Sequence, residues 1–256
     1  MNDEILYFVS DAHLGAPFAD APEWERSCLE FLRYIRDRAT ALYILGDLFD
    51  FWIEYRHAIR PDYFQTIYEL KNLIDRGVEI YYFAGNHDFA LGPFLTNTVG
   101  IKVFSGHYRT ELQERKVFMH HGDGLRQKDV GYRILKRLLR NPFNQKIYKL
   151  LPMSIGVPLG SFCSGTSRKV NEHHMTEAIL SEYRNIAKSC LDQGNDIVFF
   201  AHTHEAELSQ WGEKIYCNTG AWMRTFNFAT MKNGTVRLWT WRHDQEPAEL
   251  PAIERK

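Results

Sequence analysis

With 256 residues, 45% of them hydrophobic, and a formal net charge of -1, the chain can bury one sizeable core and carries no global field for nucleic acid. Its four cysteines, Cys28, Cys163, Cys190 and Cys217, are scattered without a Cys-x-x-Cys pair, which excludes a zinc ribbon and a disulfide framework and suits a reducing cytosol. The acidic start Met1-Asn2-Asp3-Glu4 is unlike a secretory signal, and no run approaches the ~20 apolar residues of a membrane span, so a soluble cytoplasmic protein is expected.

In chain order, residues 5–9 form a first apolar run that ends in Ser10-Asp11-Ala12-His13. Residues 22–38 read as a helix, because Trp24, Leu29, Leu32 and Ile35 recur on one face. The strand at 41–45 ends in Gly46-Asp47. A second helix is predicted over 62–76, with Phe64, Ile67, Leu70 and Ile74 inward and Gly77 closing it. The central strand at 78–84 stops at Gly85-Asn86-His87-Asp88. This βαβαβ start implies parallel strands with right-handed crossovers. Short strands follow over 100–119 and end in His120-His121-Gly122-Asp123. The rhythm then breaks into a helical insert at 125–166, and a long helix over 167–193 leads to a strand at 196–200 that ends in Ala201-His202-Thr203-His204. From 214 onward the pattern is β, with Asn233-Gly234 as the turn of a hairpin between 226–231 and 236–241, and the last dozen residues, with Pro247 and Pro251, read as an ordered-to-frayed tail. No repeat or linker divides the chain, so one domain over 1–256 is expected.

Five short apolar runs thus deliver nitrogen or oxygen ligands at their C-terminal ends, which in an open α/β sheet share one rim. Asp11, His13, Asp47, Asn86, His121, His202 and His204 make a mixed set without thiolate. That set suits manganese, iron or catalytic zinc and argues against a closed structural zinc site. It is too large for one tetrahedral ion and about right for two divalent ions sharing a carboxylate, an arrangement suited to in-line phosphoryl displacement. Asp-x-His and His-x-His put two side chains on one side of an extended segment. His107, His173, His174 and His243 read as surface residues, His120 as a side chain turned into the sheet, and Asp123 as a turn residue or a partner of a ligand.

These motifs resemble the calcineurin-like metallophosphoesterases. Asp11-Ala12-His13, Gly46-Asp47-Leu48-Phe49-Asp50, Gly85-Asn86-His87-Asp88, His121 and His202-Thr203-His204 fill that family's pattern in order across most of the chain. The one departure is Ala201 where Gly is usual, a methyl that matters only if the backbone there needs a positive φ. The resemblance implies an α/β fold, a two-sheet sandwich flanked by helices. It places Asp11, His13, Asp47 and His204 on one metal and Asp47, Asn86, His121 and His202 on the other. It gives His87 the role of donating a proton to the leaving oxygen or steadying phosphoryl charge, with Asp88 orienting its ring. Asp50 is expected to support the turn it ends.

The insert carries Arg126, Lys128, Arg133, Lys136, Arg137, Arg140, Lys146 and Lys149, with Val130, Ile134, Leu135 and Leu138 as an apolar stripe and Phe143, Ile147, Leu150 and Leu151 starting another. One reading is helices packed on the sheet with solvated lysines. The other is a lid with an apolar inner wall and a basic rim, suited to an anionic amphiphile or an acidic membrane surface. Trp52-Ile53, Asp88-Phe89, Leu91-Gly92, Gly131-Tyr132, Asn141-Pro142, Gln145-Lys146 and Leu151-Pro152 are similar to the UDP-2,3-diacylglucosamine pyrophosphohydrolases of lipid A synthesis. That similarity implies attack of water on the α-phosphorus of a lipid-linked UDP-sugar, manganese as the metal, and work at the cytoplasmic face of the inner membrane. Asn86, Asp129, Tyr132, Arg168 and Lys169 are its candidate substrate contacts. His87 departs from it, since Arg stands there in those enzymes, and only His can give up a proton near neutrality. A phosphodiesterase or phosphatase acting on a nucleotide, nucleic acid or another phosphoester, and a non-catalytic scaffold protein on the same fold, remain the alternatives.

Overall fold

A computed structural model describes residues 4–255, with the side chains of residues 166–174 outside the description. Strands β1 (Leu6–Val9), β2 (Ala41–Ile44), β3 (Glu79–Phe83) and β4 (Lys102–Phe104) run parallel. Helices α1 (Ala21–Ile35) and α2 (Phe64–Asp75) make the first two crossovers. Beyond β1 the sheet continues antiparallel through β10 (Asn227–Lys232), β11 (Thr235–Thr240) and β12 (Ala248–Leu250), giving seven strands. The second sheet has six: β5 (Tyr108–Leu112), β6 (Arg115–Met119), β7 (Ile197–Phe200), β8 (Ala206–Trp211), β9 (Lys214–Thr219) and β13 (Ile253–Glu254), ordered β13-β8-β9-β7-β6-β5.

The sheets face each other, and the strand period decides which side chains meet between them. Leu6, Phe8, Tyr43, Val117, Met119, Ile197 and Phe199 fill the space between the sheets. Phe8 stacks on Phe199 across that space with ring centroids 4.0 Å apart. The alternate residues Tyr7, Val9, Leu42 and Ile44 face α1 and α2, while Phe118, Val198 and Phe200 face α6 (Glu177–Asp192). Both faces of these strands are therefore covered, which is why they read as unbroken apolar runs rather than alternating ones.

Residues 130–174 form α3 (Val130–Arg140), α4 (Pro142–Tyr148) and α5 (Met153–His174). Asn141 ends α3 and caps α4, its side chain accepting from the Phe143 amide at 2.8 Å. Neither α3 nor α4 contains a buried residue.

Three expectations need correction, and one strand is new to the sequence reading. The helix expected over 167–193 is two helices, broken at Met175-Thr176, where extended Thr176 starts a new one and accepts from the Ile179 amide at 3.4 Å. Phe64, expected inward, is 67% exposed, because Tyr63 in a preceding 3-10 turn (Pro61–Tyr63) takes the core position. Strand β8 carries no sequence signal strong enough to have been anticipated. The C-terminal tail is not loose: β12 joins one sheet and β13 the other. The Asn233-Gly234 turn does close its hairpin, with φ of 51° and 74° as a primed turn demands.

Candidate metal centre

The five polar strand ends do not share one sheet edge: three follow β1, β2 and β3, and two follow β6 and β7 of the facing sheet. Backbone bonds draw the loops together. The amides of Asp11 and His13 donate to Gly46 and Asp47 carbonyls at 3.1 and 3.0 Å, and the Ala201 amide donates to His121 at 2.8 Å. Between the sheets, the His202 amide donates to Asp11 Oδ2 at 3.2 Å.

Asp11, His13, Asp47, His202 and His204 all have positive φ, between 44° and 68°. An L side chain in that region is strained, and such residues gather at functional sites. The expectation that Asp-x-His and His-x-His act as extended segments is corrected accordingly. Their side chains converge through left-handed turns, not strand alternation. Ala201 is absent from the positive-φ residues, so its methyl is tolerated. Glycine is required elsewhere: a Cβ on Gly85 would stand 2.0 Å from Asp47 Oδ1, and one on Gly46 would stand 2.4 Å from His121 Nδ1.

One cluster comprises Asp11, His13 and His204. The Nε2 atoms of His13 and His204 are 3.4 Å apart, and Asp11 Oδ1 lies 3.2 Å from His204 and 3.9 Å from His13. A second comprises Asp47, His121 and His202, whose donor atoms lie within 4.8 Å of one another, and the same spacing also groups His87 with His13 and Asp47. Asn86 Oδ1 joins the second, 3.0 Å from His121 Nε2. Asp47 Oδ2 stands between the clusters, 4.0 Å from His13 Nε2 and 3.3 Å from His121 Nε2. His121 Nδ1 faces the Leu45 carbonyl at 2.8 Å, so it carries the proton and leaves Nε2 for a cation.

The donors suit two divalent cations. Asp11 Oδ1 is buried with no hydrogen-bond partner, a costly state that a cation relieves. Burial alone would raise the Asp47 carboxyl, but the imidazoles of His121, His87 and His13 hold it well below the usual carboxylate range. Burial would lower His121, yet Asp47 and then Asp11 raise it to about 10. Burial and the neighbouring His121 push His202 down to about 4.

His87 is buried, its ring edge-on to His13 with centroids 4.6 Å apart. Its amide donates to Asp47 Oδ1 at 2.8 Å. Asp88 does not orient the His87 ring as expected. Its carboxylate accepts from the amides of Gly85 (2.8 Å), Asp47 (3.2 Å) and Phe49 (3.4 Å) and from the Tyr82 hydroxyl, clasping the ends of β2 and β3 together. The His87 Nδ1 instead faces the Asp50 carbonyl at 3.2 Å and the Ser164 hydroxyl. Asp50 Oδ1 lies 3.8 Å from both His13 Nδ1 and His87 Nδ1.

Asp123 is a further buried residue, and α3 reaches it three times: Tyr132 donates to Oδ2 at 2.7 Å, Lys136 pairs at 2.7 Å and Arg140 at 3.5 Å. Burial works against its charge, but His121, Lys136 and Arg140 keep Asp123 well below the usual range. Arg140 also donates to the Gly85 carbonyl at 2.9 Å, tying the insert to the loop before Asn86. Asn86, His87 and Tyr132 line a cleft of about 470 Å³ between the centre and the insert, with Phe51, Leu135 and Leu139 on its apolar wall. Asp129 pairs with Arg126 at 3.4 Å, at the start of α3 and outside the cleft lining. The side chains of Arg168, Lys169, His173 and His174 lie outside the described residues. His243 is exposed against Glu30, and exposed His107 stacks on Phe118.

The profile of the family described as Calcineurin-like phosphoesterase matches residues 6–206, a span that holds every one of these ligand candidates. The chain belongs to the calcineurin-like phosphoesterases. It is thus a metal-dependent hydrolase. Its relatives include a UDP-2,3-diacylglucosamine hydrolase of Porphyromonas gingivalis, 31% identical over 91% of this chain and 96% of that one. A second, from Pseudomonas putida, is 32% identical over 80% of this phosphoesterase and 83% of its own length. Among solved structures, an archaeal phosphodiesterase superposes with a TM-score of 0.51 at 14% identity, covering 93% of this chain and 99% of that one, a likeness of fold.

Proposed function

We propose that this phosphoesterase hydrolyses the pyrophosphate bond of UDP-2,3-diacylglucosamine, releasing UMP and 2,3-diacylglucosamine 1-phosphate. The observation that carries the reading is the continuity of the cleft. Asn86 and His87 of the centre line the same cleft as Leu135, Leu138, Leu139 and Leu159 of the insert. Such a shape suits a substrate that is anionic at the reacting bond and fatty beyond it. Relatives named for that hydrolase activity match over most of their length, which supports the same substrate here.

Asp11, His13 and His204 would hold one cation, Asn86, His121 and His202 the other, with Asp47 shared. When bound, the pair would supply an acidified water and neutralise charge on the phosphoryl oxygens. Manganese is our choice, since oxygen and imidazole donors without thiolate accept it readily. His87 turns Nδ1 away toward Asp50, which leaves Nε2 to give a proton to the leaving oxygen or to steady its charge. Because it can lose that proton, His87 does with acid chemistry what Arg would do with charge alone, in a sister branch of the lipid A enzymes. Asn86 and Tyr132 line the cleft and would contact the sugar phosphate. Asp129, Arg168 and Lys169 would be further contacts.

Residues 125–166 act in this reading as a lid within a single domain. Most large apolar side chains exposed among the described residues lie between positions 130 and 162, among them Phe143 at 68% and Leu150 at 82%. A surface of that kind marks an interaction site, and basic neighbours favour an acidic membrane. Among the described residues no helix is long and apolar enough to cross a membrane, so contact with the cytoplasmic face of the inner membrane would be peripheral. Parallel assays on UDP-2,3-diacylglucosamine and bis(nitrophenyl) phosphate test the proposal. It expects kcat/KM at least roughly 10²-fold higher on the lipid, through binding beyond the reacting bond. Equal or greater efficiency on the aryl diester would refute it.

A further inference from the structure

Gly156, Gly160 and Ser164 are spaced four apart on α5 and share one face. A Cβ on Gly156 would stand 2.0 Å from the Tyr55 hydroxyl oxygen, and one on Gly160 would stand 2.2 Å from Phe51 Cζ. Only a bare backbone lets the helix come this close to the loop that follows β2. One turn further on, the short Ser164 side chain is buried against Asp50 and His87.

The geometry there settles who donates. The Asp50 carbonyl oxygen can only accept, and it lies 3.2 Å from His87 Nδ1. The Ser164 hydroxyl donates to Asp50, whose carbonyl oxygen it touches and whose Oδ1 is 3.1 Å away. Having spent its proton there, Ser164 Oγ accepts from His87 Nδ1–H. Both neighbours therefore place the proton on Nδ1 and turn Nε2 toward the cleft that His87 lines. The Asp50 carboxylate lies on the same side of the ring, 3.8 Å from Nδ1.

We propose that Ser164 is the positioning residue of His87, so that the insert completes the catalytic machinery as well as forming the wall of the cleft. The inference rests on His87 acting at the phosphoryl group, as read above, and does not depend on which phosphoester is cleaved. In the step concerned, His87 Nε2 gives its proton to the leaving oxygen as the P–O bond breaks. Solvent then reprotonates Nε2, while Nδ1–H stays with Ser164 and Asp50 throughout.

A double-mutant cycle on an aryl phosphodiester, with metal content measured for every variant, decides the matter. Ser164→Ala is expected to lower kcat roughly 10-fold with KM and metal content unchanged. Its penalty grows when nitrophenol is replaced by the poorer leaving group phenol. In a His87→Ala background the same substitution costs nothing further, because the two residues act as a unit. Ser164→Thr keeps the hydroxyl and most of the rate. An unchanged kcat in Ser164→Ala, or an equal loss with and without His87, overturns the proposal. Since the assay uses an aryl diester, failure here is distinct from failure of the lipid substrate reading.

Discussion

Asp47 Oδ1 accepts the His87 amide while Oδ2 stands between His13 and His121, so one carboxylate serves both clusters and the backbone at His87. Asp47→Asn keeps the shape and loses the charge. It is expected to leave at most one cation per chain by elemental analysis and to lower turnover by roughly 10²–10³-fold or more. Gly85→Ala should damage the same carboxylate from outside, because its Cβ has no room beside Asp47 Oδ1. Metal loss and a destabilisation of about 1–3 kcal/mol in thermal unfolding are the expected outcome. His120 gives a pH signature. Burial lowers it from 6.5 to about 3, and its Nδ1 accepts from the Gly122 amide at 2.8 Å. The unfolded chain therefore binds a proton below 6.5 that the folded chain refuses until about 3, and stability falls as pH drops through that window. By pH ~5 the loss from this group is about 2 kcal/mol, and His120→Gln should flatten that part of the unfolding profile. Most of these residues were legible because polar groups at the ends of apolar strands have little other use. Ser164 was not, since its partner His87 is 77 positions away and a serine in a helix carries no signal of its own.

At the scale of elements, the strands were the most readable part, since covered faces leave continuous apolar runs. Boundaries failed where tertiary context overrode local pattern. Phe64 fits the helical stripe, yet Tyr63 reaches the core first. Thr176 interrupts a run that periodicity alone would carry through. For the insert, sequence reading found both greasy stripes and basic residues but not their division of labour. Lys136 and Arg140 are latched onto Asp123, while Phe143, Ile147 and Leu150 remain exposed. Replacing Phe143 and Leu150 with Ser touches neither latch nor ligands. We expect turnover of vesicle-presented lipid to fall roughly 10-fold, with aryl diester hydrolysis unchanged. Equal losses on both substrates would make these side chains structural.

For the whole molecule, the C-terminal tail links the two sheets. Leu250 pairs with Leu238 in β11, and Ile253 pairs with Ser209 in β8 only three residues later. Arg255 then ion-pairs with Glu207 at 3.0 Å. Two short strands, one preceded by Pro247 and the pair separated by Pro251, look like frayed ends, which is why this stitch escaped the sequence. A chain ending at Pro247 should lose about 1–3 kcal/mol, lowering Tm by roughly 2–4 °C for each, as two sheet edges open. Its metal content should stay intact. At this scale the proposed reaction is hydrolysis of a lipid-linked phosphoanhydride at its nucleotide-side phosphorus, by residues between two facing sheets that would hold a pair of cations. Its most direct test is turnover of UDP-2,3-diacylglucosamine in heavy-oxygen water by the manganese-loaded protein, with both products weighed by mass spectrometry. One heavy oxygen is expected in UMP, none in the lipid phosphate, and no turnover after chelation until manganese is restored. Label in the lipid phosphate, or undiminished turnover by metal-stripped protein, would contradict it.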